Sequence, residues 1–458
     1  MKKMRKYVAI LLVAIIAAST ASCALTDPVT APFGGADSEA TPAVPPQTIQ
    51  GDSSMLNAHP LGSDLMKGVS PEAVSARATD AAFTESMADF SIELFKQSIK
   101  DDKNSMISPL SVMIALAMTA NGARGETLTQ MERLLGGNIP LTDLNEYLHT
   151  YAGDLPSLDK STLKIANSIW LRDSTDLSVR ELFLQKNADY YGAAAYKSAF
   201  DDETVREINA WVDKNTDGMI DKILDEIGDE QLLYLINAVM FDAEWKDVYT
   251  REDVRKDYFT DIAGQTRQTE FMRSSEHWYL DDGLATGFIK PYAGGAYSFA
   301  ALLPNEDVSF DEYVNSLTGA GFLSTLSQAQ NILVRASMPK FEYEYEYEMS
   351  DVLAEFGMPD AFNEAKADFS DMAVSTLGNI FIGMVLHKTF ISVDELGTRA
   401  GAVTVIAMEN ASIALDVKTV HLDRPFVFAI IDNSTNLPIF IGTLIMPTDS
   451  VSRCGTEG

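Results

Sequence analysis

Between residues 82 and 99 the apolar side chains Phe83, Met87, Phe90, Leu94, Phe95 and Ile99 recur three and four apart, which predicts a helix with one buried face. Ser108-Pro109 opens a second apolar helix running through Met118, and the following Asn121-Gly122 pair favours a left-handed cap. Helical spacing continues over residues 127–135, 141–151 and 204–212. The second half then turns to strands, at residues 232–241, 297–303, 332–337, 341–349, 387–393 and 426–431. In the run FEYEYEYE, Tyr343, Tyr345 and Tyr347 alternate with Glu342, Glu344, Glu346 and Glu348, so period two places rings on one face and carboxylates on the other. The rings are expected to pack a core rather than to form a ligand platform. With no internal repeat, the pattern describes one α+β domain over residues 81–448, followed by a tail over 449–458.

What precedes the domain has a different character. Residues 24–80 are dominated by Ala, Pro, Gly, Ser, Thr and Asp without a sustained period, which predicts a disordered spacer. Ahead of it, Lys2, Lys3, Arg5 and Lys6 precede an apolar run over residues 7–18, small residues at 19–22, and Cys23. Residues 1–23 therefore read as a signal peptide, with an apolar run too short to span a bilayer comfortably. Thr20-Ala21-Ser22-Cys23 resembles a bacterial lipoprotein box, in which the cysteine becomes the lipidated first residue, although Thr20 stands where such boxes usually carry Leu, Ile or Val. The competing reading leaves Cys23 as an ordinary residue at a plain signal peptide. Under either, the protein is expected outside the cell, secreted or anchored to its surface through Cys23.

Charge and cysteine content narrow the function classes. The formal net charge of −31 repels phosphate backbones and anionic lipid, so nucleic acid is not an expected partner and the only membrane contact expected is the Cys23 anchor. Cys23 and Cys454 are the two cysteines, too few for a disulfide framework or a thiolate metal site. Nucleophile-elbow, zinc-protease, dinucleotide and phosphate-loop patterns are all absent, and His59, His149, His277, His387 and His421 are scattered without metal-ligand spacing. No enzyme activity, metal or cofactor is expected, and the chain is expected to be a monomer.

Nine segments, in order, resemble the serpin family. They begin with NSMISPLSVMIALAMTANGARGETLTQM (residues 104–131), IANSIW (165–170), INAWVDKNTDGMI (208–220) and LINAVMFDAEWKDVY (235–249). MPKF (338–341), FGMPDAF (356–362), VLHKTFISVDELGTRAGAVT (385–404), DRPFVFAIID (423–432) and IFIGTLIMP follow. The resemblance implies a fold of three β-sheets and eight or nine helices, with an exposed reactive-centre loop and a central sheet able to accept one more strand. It further implies that Ser108, Ser111, Asn237 and His387 form a polar cluster where strands part, and that Trp245 sits at the top of the opening sheet. On the residues alone, His387 reads as a satisfied core histidine, and both readings stand together.

The same resemblance makes Glu395, Gly397, Thr398, Arg399, Ala400, Gly401, Ala402, Val403 and Thr404 the hinge of the loop. Strand alternation would put Thr398, Ala400, Ala402 and Thr404 on one uncharged side, and Arg399, Gly401 and Val403 on the other. Arg399 departs from the family's usual acidic residue, and Gly401 and Val403 from its usual alanines. Family spacing counted forward from Glu395 and back from Pro425 places the reactive bond at Ala411–Ser412. A small residue there implies an elastase-like or subtilisin-like serine protease, held as a covalent acyl complex; Met408, Glu409 and Asn410 lie near the bond, and Met408, Asn410 or Ser412 would shift that choice. The alternative is a non-inhibitory serpin-fold protein that binds at the cell surface.

Overall fold

The computed structural model describes residues 62–100, 102–137, 139–174, 177–228, 231–376, 378–398 and 417–448. Among these residues nine α-helices occur: α1 (Ala81–Ser98), α2 (Pro109–Ala120), α3 (Gly125–Gly136), α4 (Leu141–Asp154), α5 (Glu181–Tyr191), α6 (Asp202–Asn215), α7 (Phe310–Ser316), α8 (Gly319–Ser327) and α9 (Ser350–Phe356). The first strands are β1 (Ser63–Asp64), β2 (Met106–Ile107), β3 (Ser161–Arg172), β4 (Leu177–Val179), β5 (Ala194–Ser198), β6 (Leu233–Glu244), β7 (Val254–Thr260), β8 (Thr266–Asp281) and β9 (Ala285–Pro291). The later ones are β10 (Tyr297–Pro304), β11 (Gln330–Pro339), β12 (Phe341–Glu348), β13 (Ala373–Ser375), β14 (Met384–Val393), β15 (Gly397–Thr398), β16 (Val417–His421), β17 (Phe426–Asp432) and β18 (Pro438–Leu444).

Three sheets result: seven strands in the order β1-β5-β3-β6-β15-β14-β12, nine strands running from β16 through β11, β8, β9, β10, β17 and β18 to β2 with β7 on β8, and the pair β13-β4. In the seven-stranded sheet β6 is buried on both faces, which explains why it reads as a continuous apolar run. Its Leu233, Leu235, Val239, Phe241 and Ala243 face the main core. The alternate Tyr234, Ile236, Ala238 and Met240 face a second core under Trp211 and Val212 of α6 and Met219, Ile220 and Ile223 beyond it.

The helices form where their caps and periods direct. Asp80 accepts the backbone N–H of Phe83 at 3.0 Å and starts α1, whose Phe83, Met87, Phe90, Leu94 and Phe95 are buried as the spacing predicts. Every residue of α2 is buried, as suits a helix apolar all round. Its end departs from expectation: Asn121 is right-handed at φ −61°, and the nearest left-handed glycine is Gly125. Gly122 is required instead by close approach, since a Cβ there would lie 2.4 Å from the Cβ of Met372.

The predicted spacer also ends earlier than its composition implies. Within the stretch read as disordered, Ser63 and Asp64 pair with Lys197 and Tyr196 at the free edge of β5. Leu65, Met66 and Val69 pack on the core, and Arg77 reaches Asp143 at 3.2 Å and Glu146 at 3.1 Å on α4. Backbone pairing to a sheet edge needs no hydrophobic period, so three apolar side chains suffice there. The tyrosines of β12 behave as expected: Tyr343 donates to the carbonyls of Ser105 (3.1 Å) and Thr443 (3.0 Å), and Tyr345 is buried and donates to Ser98.

Candidate functional site

The central sheet is closed at one end and wedged open at the other. β6 and β14 run parallel and pair directly from Tyr234–Met384 to Ala238–Lys388. Farther along, β15 lies between them: Gly397 and Thr398 pair with Glu244 and Ala243 of β6, and Thr398 with Val393 of β14. Between these two closures, residues 239–242 of β6 and 389–392 of β14 have no mutual pairing among the described residues.

The wedge is held by an aromatic and backbone lattice. Thr398 is 2% exposed, and its Oγ1 lies 2.6 Å from the hydroxyl of Tyr292. That ring stacks on Trp245 with centroids 4.5 Å apart and planes at 10°. The Trp245 indole N–H donates to the Asp394 carbonyl at 2.9 Å, its backbone N–H to the Leu396 carbonyl at 2.8 Å, and the Tyr249 N–H to the Glu395 carbonyl at 2.9 Å. Asp394 in turn accepts the N–H groups of Leu396 (2.8 Å) and Gly397 (3.2 Å), which turns the chain from β14 into β15. Burial raises the Asp394 carboxyl above its usual range despite those two donors. Gly397 admits no side chain, since a Cβ would stand 2.0 Å from the Ala243 carbonyl oxygen.

Charges complete the frame. Glu395 pairs with Lys340 at 2.5 Å, and Lys340 also with Glu270 at 2.9 Å. Burial alone would lower the Lys340 ammonium, but its bonds to Glu395 and Glu270 outweigh that and hold it up. Beneath Trp245, Lys290 is 2% exposed, pairs with Glu276 at 2.9 Å, and sits over the rings of Tyr249 (4.4 Å) and Trp245 (5.4 Å).

At the closed end, one rung runs Asn167–Asn237–His387 across β3, β6 and β14. The Asn237 amide donates to Ser111 Oγ at 2.5 Å and to the Asn167 carbonyl oxygen, while its own oxygen meets Nδ1 of His387. Nε2 of His387 accepts the backbone N–H of Ser108 at 3.0 Å, which fixes the ring as the neutral Nδ1–H tautomer. Complete burial agrees, lowering His387 to about 3. Ser108 Oγ, also buried, has no partner among the described residues. The bond between Asn237 and His387 therefore spans the seam that an added strand would have to part.

Of the sequence-predicted residues, the fold thus brings Ser108, Ser111, Asn237 and His387 into one cluster, and Trp245, Glu395, Gly397 and Thr398 into the other. Arg399, Ala400, Gly401, Ala402, Val403, Thr404, Met408, Glu409, Asn410, Ala411 and Ser412 lie outside the described residues, as do Cys23 and Cys454. Sequence reasoning missed Asn167, Tyr292, Lys340 and Asp394. Asn167 and Lys340 sit inside the quoted IANSIW and MPKF segments, whereas Tyr292 carries no local signal because its partner Thr398 is far along the chain.

A scan of family profiles matches the serpin (serine protease inhibitor) family over residues 85–447. An uncharacterised serpin-like protein of Thermococcus kodakarensis is 31% identical over 369 residues, covering 79% of this chain and 84% of that one. Among solved structures, the thermophilic serpin tengpin in its native state is 54% identical, with a TM-score of 0.82 over 84% of this chain and 99% of that one. Human thyroxine-binding globulin, solved complexed with thyroxine, shares 22% identity and a TM-score of 0.72 over 80% of this chain and 99% of that one, a likeness of fold alone.

Proposed function

The chain belongs to the serpin family, a family of serine protease inhibitors, and from that premise we propose that it is an irreversible suicide-substrate inhibitor of elastase-like or subtilisin-like serine proteases. The observation that carries the reading is β15, which starts an antiparallel strand between β6 and β14 above a seam that has not yet parted.

Chain register extends the argument. Gly397 opposite Glu244 and Thr398 opposite Ala243 set a pairing that, continued, brings Arg399 opposite Asp242, Ala400 opposite Phe241, Ala402 opposite Val239 and Thr404 opposite Asn237. The residues of Thr398 parity then enter the main core, where Phe241, Val239 and Asn237 are buried. Those of Arg399 parity emerge on the other face, where the departure at Arg399 meets a carboxylate. Thr404 delivers a hydroxyl to the rung of Asn237 and His387, whose bond across the seam is lost as the strands part. A buried polar pair is expensive to leave unmatched, so the arriving hydroxyl favours completion.

In the mechanism, the serine of the protease attacks the Ala411 carbonyl, the amine of Ser412 leaves, and an acyl-enzyme forms. The freed segment inserts, and fourteen residues from Thr398 to Ala411 at ~3.3 Å each carry the protease roughly 45 Å. Withdrawing the acyl carbonyl from the oxyanion hole slows deacylation by about 10²–10³. Inhibition is then a race between insertion and deacylation. We also propose that the protein is exported and held at the cell surface through lipidated Cys23; Cys23→Ser should release it into the medium, and unchanged membrane retention would refute the anchor.

The test is to incubate the protein with elastase-like, subtilisin-like, chymotrypsin-like and trypsin-like proteases, run denaturing gels, and locate the cut by mass. A complex that survives denaturation, with cleavage after Ala411, is the expected result. Cleavage without a complex by every protease that cuts the loop would instead favour a non-inhibitory surface-binding protein.

A further inference from the structure

The large negative charge is not spread evenly. On the sheet formed by β7, β8, β11 and β16, strand pairing aligns Arg255 with Phe271, Arg273 with Ser337 and His421, and Ser275 with Arg335 and Thr419. Period two puts Arg255, Arg273, Arg335 and His421 on one face, beside the buried Phe259 and Phe271. Arg255, Arg273 and Arg335 are exposed there. Two carboxylates share that face: Asp257, 2.9 Å from Arg273 and 3.7 Å from His421, and Asp253, which lies opposite Arg273 and accepts the Thr250 N–H. Among the described residues Arg255 and Arg335 take part in no ion pair. A chain of net charge −31 thus presents a locally cationic face. At physiological salt, screening over about 8 Å makes that local sign, rather than the net charge, what a docking surface meets.

The position of the face says what meets it. β16 begins at Val417, six residues beyond Ala411, so a protease reading Ala411 sits within roughly 20 Å of the β16 start, while the thirteen residues back to Thr398 allow up to about 45 Å. The shorter tether presses the body of the protease against this sheet. We propose that this face of β7, β8, β11 and β16 is a docking surface that selects proteases carrying carboxylates beside their substrate cleft, a refinement that rests on reading the chain as a protease trap. A polyanion is the weaker fit, because three guanidinium groups spread over three strands and interrupted by Asp253 and Asp257 give no dense cationic track, and the rest of the chain repels it.

The test uses a subtilisin-fold protease with an acidic cleft rim, inactivated at its serine so that only encounter is measured. Its association rate is compared between the wild-type protein and the double variant Arg255→Glu, Arg335→Glu, whose exposed, unpaired positions leave folding intact by thermal melt. The variant should associate about tenfold more slowly at about 50 mM NaCl, with the gap closing near 0.5 M. Rates within twofold of each other at low salt would overturn the docking surface, and so would undetectable association with the wild type. Retention of the wild type but not the variant on heparin, without any change in protease association, would overturn it in favour of a polyanion. If the active protease yields no covalent complex while the inactive one shows the salt-dependent gap, the trap fails and the docking face stands.

Discussion

Replacing Thr398 by arginine attacks the point from which the proposed insertion would start. Thr398 is 2% exposed, bonded at 2.6 Å to the Tyr292 hydroxyl and enclosed by the Tyr292–Trp245 stack. A guanidinium placed there displaces that bond and buries a charge against the Tyr292–Trp245 stack. An uncompensated buried charge costs about 3–5 kcal/mol, a factor of roughly 10²–10³ or more against the seated hinge. On the proposed mechanism insertion proceeds from this seat while deacylation does not depend on it, so the race should shift to turnover and the stoichiometry of inhibition should rise from near one to above about ten. The assay titrates an elastase-like or subtilisin-like protease that the parent protein traps, scoring residual activity and covalent complex on the same samples. Thr398→Val, which keeps the shape and strands the Tyr292 hydroxyl at about 1–3 kcal/mol, should fall between parent and arginine variant. An arginine variant that inhibits with unchanged stoichiometry would show that insertion does not start from this seat.

Other expectations concern the frame. His387 is held near 3 in the folded state, below its ordinary value of 6.5, so the unfolded chain binds the extra proton first: its contribution is complete above 6.5 and lost as pH falls toward 3. Relative to His387→Gln, the parent should lose about 2 kcal/mol between pH 7.5 and 5 in urea unfolding, and parallel pH profiles would refute the buried neutral ring. Gly397→Ala forces a Cβ to 2.0 Å from the Ala243 carbonyl, so it should expel the hinge and shift Trp245 emission, and an unchanged spectrum would contradict the wedge. Gly122→Ala and Gly122→Asn should both lower the unfolding free energy read from urea melts, by about 1–3 kcal/mol, because both meet Met372; tolerance of asparagine would restore the left-handed cap.

Periodicity and motif order carried much of this protein. The period-three-and-four run into α1, the period-two tyrosines of β12 and the apolar β6 were each legible because a buried face imposes its spacing on a contiguous stretch. The cluster residues Ser108, Ser111, Asn237 and His387 were legible through the family resemblance of their surroundings. Contacts between distant segments were not: Tyr292 meets Thr398 across 106 positions, and Asn167 meets Asn237 across 70. The edge strand Ser63–Asp64 was equally hidden, since its partners are backbone groups of β5 that leave no trace in side-chain composition. Sequence by itself determined the stretches whose local period records a buried face, such as α1, β6 and β12, while elements with no clean period, such as α5 and β8, became visible only in the fold. Tertiary structure alone decided that Gly397 and Thr398 already pair between β6 and β14 while the rung of Asn237 and His387 remains closed, because both facts depend on register between strands that no local pattern encodes.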